Sequence, residues 1–136
     1  MKGPFVYSRV DELEGKPRVS NQACAVLVQW YTKAPGDAKV TWREGLRVRG
    51  NGAEIKKGTA VATFVNGRYP NTIHHKHAAL YIEQDPVGVW VMDQWDSPSK
   101  PTISKRRMRF LGKDKDGTYI DPSNNGDALS VIMSEP

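Results

Sequence analysis

The sequence predicts an α+β fold, one helix packed on an antiparallel sheet. Three features carry that expectation: a single segment of helical periodicity near the start of the chain, a succession of short β-type runs after it, and turn-forming residues between those runs. A length of 136 residues suits one domain spanning 1–136. Hydrophobic residues make up 38%, and four Trp, five Tyr and three Phe supply core material that a disordered chain lacks.

Residues 1–19 read as a lead-in ahead of a core over 20–132. Gly3, Pro4, Gly15 and Pro17 surround the acidic stretch Asp11-Glu12-Leu13-Glu14, which has room for about one helical turn. From Ser20 the pattern changes. Ala23, Val26, Leu27, Trp30 and Tyr31 recur at helical spacing, with Gln22, Gln29 and Lys33 off that face. Ser20 or Asn21 can cap the start, and Ala34-Pro35-Gly36 ends the helix, because a residue before proline is pushed out of the helical region. Cys24 therefore falls in the first turn.

After Gly36 the reading is strand: about Leu46–Arg49, Thr59–Val65, His77–Glu83, Val89–Gln94, Ser104–Phe110 and Ala128–Ile132, joined as a meander. Asn66-Gly67 and Asp85-Pro86-Val87-Gly88 are connectors, and the second is short enough to fold His77–Gln94 into a hairpin.

Lys plus Arg number 20 against 15 Asp plus Glu, a formal charge of +5 with a pI near 9.4, which favours anionic partners without choosing among them. Lys105, Arg106, Arg107 and Arg109 form the densest basic run, most simply one solvated face of an edge strand. No phosphate-binding glycine loop or nucleic-acid motif appears, so neither nucleic acid nor membrane is an expected partner. No apolar run approaches the roughly 20 residues that span a bilayer, and Met1-Lys2-Gly3-Pro4 lacks the apolar segment of a secretory signal.

Cys24 is the sole cysteine, so an internal disulfide and a Cys-rich zinc site are excluded. At a helix start, unsatisfied N–H groups favour thiolate over thiol, while the flanking Ala23, Ala25 and Val26 equally suit a small buried hydrophobe. A partner decides between the two. His77 opens one hairpin strand, and Asp93 lies near the end of the returning one, where the short turn brings it back toward His77. Alternation places Val89, Val91, Asp93 and Trp95 on one face, so the carboxylate shares apolar company and needs a counter-charge. A Cys-His-Asp set is therefore geometrically open. His74, His75 and His77 with Asp93 form an alternative zinc set, disfavoured because adjacent histidines after the turn-like Tyr69-Pro70-Asn71-Thr72 have no spacing that converges them. No metal and no cofactor is expected.

The order of helix-start Cys24, Gly58-Thr59-Ala60-Val61-Ala62-Thr63-Phe64, His77-Ala78-Ala79-Leu80-Tyr81-Ile82 and Gly88-Val89-Trp90-Val91-Met92-Asp93-Gln94-Trp95 resembles the NlpC-like and CHAP superfamily of cysteine amidases and peptidases. Within it, Trp42-Arg43-Glu44-Gly45 and Asn66-Gly67-Arg68-Tyr69-Pro70 make the chain similar to a group of small bacterial proteins. The resemblance implies a papain-like core, Cys24 as nucleophile, His77 as general base and Asp93 orienting the imidazole. It implies cleavage of amide bonds in peptidoglycan peptide stems, and use as a type VI secretion toxin guarded by a cognate inhibitor protein. Such a toxin is made in the cytoplasm and exported to the periplasm of a target cell. CHAP proteins often carry Gln directly before the cysteine; here Ala23 intervenes and Gln22 stands one residue further away. The Cys24 N–H is the expected oxyanion donor, with Gln22 as the second. Trp95, Tyr81 and Tyr69 are the candidate cleft-lining side chains. The rival expectation is a non-catalytic module of the same fold that binds an anionic polymer.

Overall fold

The computed structural model describes residues 1–135. Its elements are α1 (Cys24–Thr32), α2 (Ala38–Thr41), β1 (Trp42–Arg47), β2 (Ala60–Thr63), β3 (Ala78–Gln84), β4 (Gly88–Asp93), β5 (Ser104–Arg109) and β6 (Leu129–Ser134), with short 3-10 turns between them. All six strands form one antiparallel sheet in the order β1-β6-β2-β3-β4-β5. The α+β class agrees with expectation. The simple meander does not: β6 returns from the C-terminus to lie between β1 and β2, a long-range pairing that leaves no local trace in sequence.

β3 is central because it can be buried on both faces. Ala78, Leu80 and Ile82 join a core with Leu27 and Val28 of α1, while Ala79 and Tyr81 join a second core with Val89, Val91, Met108 and Leu129. Alanines at 60, 62 and 78 keep the helix-facing surface low, so Leu27 and Val28 seat fully, each burial stabilising the fold by about 1.5–3 kcal/mol. The face of α1 differs from the expected one: Trp30 is exposed, and Leu27, Val28 and Thr32 are the buried positions. The helix starts at Cys24 with Ala23 extended ahead of it, so neither Ser20 nor Asn21 is the N-cap. Lys33 in the left-handed region closes the helix, its N–H donating to the Gln29 carbonyl.

The β3–β4 hairpin fixes the register that matters for the site. Asp85 Oδ1 accepts the N–H groups of Val87 (2.8 Å) and Gly88 (3.1 Å), an Asx turn that sets the connection. A bulge at Ile82 absorbs one extra residue, after which Tyr81 pairs with Val91 and Leu80 with Met92. Carried on, this register sets Ala79 opposite Asp93 and leaves His77 one diagonal step away on the same face.

The lead-in is part of the core. Val10 and Leu13 of a 3-10 turn are wholly buried against it, and Tyr7 N–H donates to the Gly58 carbonyl at 2.9 Å. Gly58 is obligatory at that contact: its φ is +93° and an added Cβ would stand 2.0 Å from the Tyr7 carbonyl oxygen. Among the described residues no helix is long and apolar enough to cross a membrane.

Candidate active site

Three elements meet at one end of the sheet. Cys24 is the first residue of α1, where its N–H has no intrahelical acceptor and adds to the positive end of the helix. The approach to it is pinned by Gln94, wholly buried just past β4: Oε1 accepts the Val19 N–H at 2.9 Å, and Nε2 donates to the carbonyls of Ala23 (2.9 Å) and Val19 (3.3 Å). Asn21 Oδ1 accepts the Ala23 N–H at 3.0 Å and tightens the same turn.

His77 stands immediately before β3 and is held by Thr63, whose hydroxyl accepts the His77 N–H at 2.9 Å and whose N–H donates to the His77 carbonyl at 2.9 Å. Its ring nitrogen Nε2 lies 2.7 Å from Asp93 Oδ2. That contact commits Nε2 and leaves Nδ1 for the Cys24 thiol. Neighbouring residues at the end of β4 thus divide the work: Asp93 faces the imidazole, and Gln94, on the opposite side of the strand, holds the segment that delivers the sulfur.

Asp93 is completely buried, and His77 is not its only counter-charge. Lys100 Nζ lies 2.8 Å from Oδ1 and Arg106 Nε 2.7 Å from Oδ2. Burial alone would push this carboxyl up, but the His77 hydrogen bond and charge, with Arg106 and Lys100, bring it down to about 2. Burial pulls His77 down, and Asp93 together with Cys24 raises it to about 9. Burial pushes the Cys24 thiol up, but hydrogen bonding and charge from His77, the Tyr69 hydroxyl and the Ala78 N–H outweigh that and lower it to about 7. Each group thus favours the charged form of the other, the imidazolium drawing the thiol toward thiolate and the thiolate holding the proton on His77.

The thiol is partly exposed and opens on a cavity of about 740 Å³ bounded by Ile73, His74, His75, Lys76, Trp95 and the 121–124 segment. Trp95 lines it and meets the His77 ring edge-on at 6.1 Å. Tyr69 reaches the sulfur directly, Oη to Sγ 3.7 Å, with its ring packed on Trp42 at 4.9 Å.

Three expected positions are corrected. Tyr69 is buried in the first core and does not border this cavity, although its hydroxyl reaches the sulfur. Tyr81 does not border this cavity; alternation carries it down β3 into the second core, with its hydroxyl accepting from Gln84 Nε2 at 3.2 Å. Gln22 has a left-handed backbone (φ 70°) and is not among the residues that bound the cavity. His74 and His75 line the cavity with their rings 6.4 Å apart, and among the described residues no three His, Cys, Asp or Glu side chains are grouped to hold a metal.

The basic run also divides differently. Lys105, Arg107 and Arg109 are exposed on edge strand β5 as expected, whereas Arg106 turns inward to Asp93. Its place on the other parity of β5 was the available signal. Nothing local marked Lys100. Gln94 sat within the Asp93-Gln94-Trp95 motif, which drew attention to the carboxylate and not to the amide beside it.

A family model described as domesticated amidase effector 2 matches residues 6–132. A type VI secretion amidase effector 2 protein of Salmonella typhi is 45% identical over 134 aligned positions, covering 95% of this chain and 98% of that protein. A domesticated amidase effector 2 of Ixodes scapularis is 35% identical over 91 positions, covering 67% of this chain and 56% of its own length. A solved structure of type 6 secretion amidase effector 2 (Tae2) superimposes with a TM-score of 0.88 at 41% identity, covering 98% of this chain and 97% of that one. The chain, then, belongs to the domesticated amidase effector 2 family.

Proposed function

We propose that this protein is a cysteine amidase that cleaves amide bonds in the peptide stems of peptidoglycan and serves as an antibacterial effector of a type VI secretion system. The core reads as papain-like, of the NlpC and CHAP kind, with Cys24 as nucleophile, His77 as general base and acid, and Asp93 orienting the ring. The observation that carries this is the buried His77–Asp93 contact of 2.7 Å beside a cysteine that begins a helix.

The mechanism follows from those groups. The Cys24 thiolate attacks the amide carbonyl, forming a C–S bond and a tetrahedral oxyanion. The free Cys24 N–H lies at the positive helix end where that oxyanion develops, and the Tyr69 hydroxyl, 3.7 Å from Sγ, takes the second-donor role first expected of Gln22. The C–N bond then breaks as protonated His77 gives its proton to the leaving nitrogen. Water, deprotonated by the now neutral His77, cleaves the thioester, releasing a carboxylic acid and restoring the thiolate beside protonated His77.

An effector of this class is delivered into the target cell, and the producing cell needs a cognate inhibitor protein against its own toxin. The test is digestion of purified sacculi by wild-type protein and Cys24→Ala, followed by mass spectrometry of the muropeptides. New amine and carboxyl termini with wild type, and none with Cys24→Ala, are expected. Equal action by both proteins, or none by wild type, contradicts the reading, and retention on the wall without cleavage points to a non-catalytic binding module.

A further inference from the structure

Orienting an imidazole takes one carboxylate oxygen and one partner, yet Asp93 has three cationic neighbours. His77 Nε2 and Arg106 Nε share Oδ2, each at 2.7 Å, and Lys100 Nζ lies 2.8 Å from Oδ1. Neither extra cation is a stray surface charge. Lys100 is buried and donates to the Ser104 carbonyl at 3.1 Å. Arg106 spends its remaining nitrogens on Asn124 Oδ1 and the Ser123 carbonyl, each at 3.0 Å, tying the carboxylate to one wall of the cavity. Both cations lie over the Trp95 ring, at 4.6 and 4.9 Å from its centroid.

We propose that Lys100 and Arg106 are positioning residues for amide cleavage. They hold Asp93 ionised and fixed against the His77 ring, and they withdraw part of its negative charge so that the imidazolium stays acidic enough to protonate the leaving amine. The inference rests on the cysteine amidase reading above. An oxygen shared between two charged donors gives less to each, and a permanent cation on the far side of Asp93 disfavours a second positive charge on His77. The groups facing this centre are Cys24 from α1, His77 ahead of β3, Lys100 from the loop after β4 and Arg106 from β5, with Tyr69 against the thiol and His74, His75, Lys76 and Asp121 on the cavity side. When the C–N bond breaks, its electron pair stays on nitrogen and the proton comes from the imidazolium. That transfer weakens if Asp93 alone grips the ring.

The experiment compares wild type with Lys100→Met, Arg106→Gln and Arg106→Lys, reading kcat and KM for muropeptide cleavage across pH and the titration of the His77 ring by NMR. Removing either charge is expected to move the alkaline limb of kcat/KM and the His77 titration upward by about 0.5–1 pH unit. In the same variants kcat falls roughly tenfold with KM nearly constant. Arg106→Lys keeps the charge and restores the limb. Loss of rate with an unmoved limb and titration, equal in Arg106→Gln and Arg106→Lys, overturns the proposal, as does a rise in KM at constant kcat. If Arg106→Gln does not fold, Lys100→Met, whose chain still covers Trp95, carries the same test. The NMR arm needs no substrate, so an inactive wild type would defeat the amidase reading while the ring titration still decided this one.

Discussion

Replacing Asp93 by Asn keeps the shape of the side chain and removes its charge. The consequence can be worked from the site. Burial alone would hold His77 below its ordinary 6.5, and Asp93 leads the interactions that bring it to about 9. At about 1.36 kcal/mol per pH unit, that interval corresponds to ~3 kcal/mol, a few hundredfold in favour of the imidazolium. The thiolate depends on that imidazolium in turn: at pH 8 a ring titrating at about 9 is about nine-tenths protonated and one returned to 6.5 about 3%, so the reactive ion pair, and kcat/KM with it, should fall by about 30-fold. The substitution also leaves Lys100 and Arg106 without their counter-charge in a buried setting, a loss of about 3–5 kcal/mol. Folds of this kind have roughly 5–15 kcal/mol in total, so thermal melting is measured beside the kinetics and rates are taken where the variant is folded. The assay is kcat/KM for a purified muropeptide from acid to alkaline pH. An Asp93→Asn protein that stays folded, works within tenfold of wild type and keeps both limbs of its pH profile would refute the reasoning.

Gln94→Leu removes three hydrogen bonds and strands the Val19 N–H, while the Val19 and Ala23 carbonyls keep the backbone N–H groups of Gln22 and Val26. A loss of about 2–4 kcal/mol in urea unfolding, with a larger fall in kcat than in KM, is expected because the cysteine is no longer held in place. Gly58→Ala forces a Cβ onto the Tyr7 carbonyl at positive φ and should lower the melting temperature more than any exposed substitution, with an unchanged Cys24 titration in whatever fraction folds. Acid unfolding has a defined window. The Asp93 carboxyl is depressed in the folded state, so its contribution is present above the ordinary 3.8 and lost as pH falls toward about 2. Urea unfolding should weaken across that interval in wild type and much less in Asp93→Asn.

Local chemistry made much of this molecule readable. The place of Cys24 in the first turn of the helix, the hairpin from His77 to Asp93 and the edge character of β5 all rest on short-range rules: periodicity, a proline stop, a short connector and alternation. What escaped depends on distance along the chain. The pairing of β6 with β1 and β2, the burial of Val10 and Leu13, and the approach of Lys100 and Arg106 to Asp93 are settled by which segments meet in space. Tyr81 shows the same limit from the other side: it shares a strand face with His77, yet lies far enough along β3 to join a different core. Gln22 was expected beside the cysteine from the CHAP resemblance; it does not border the cavity, and the buried amide beside the site comes from Gln94.

Cys24 is the only thiol in the chain, so its ionisation can be followed by thiolate absorbance in the ultraviolet without ambiguity. Wild type should titrate at about 7, and His77→Ala should titrate above the ordinary 9.0, because burial would then lack its strongest opposing influence. A wild-type inflection at or above 9.0, or one that His77→Ala leaves in place, would contradict the thiolate–imidazolium pair on which the account stands.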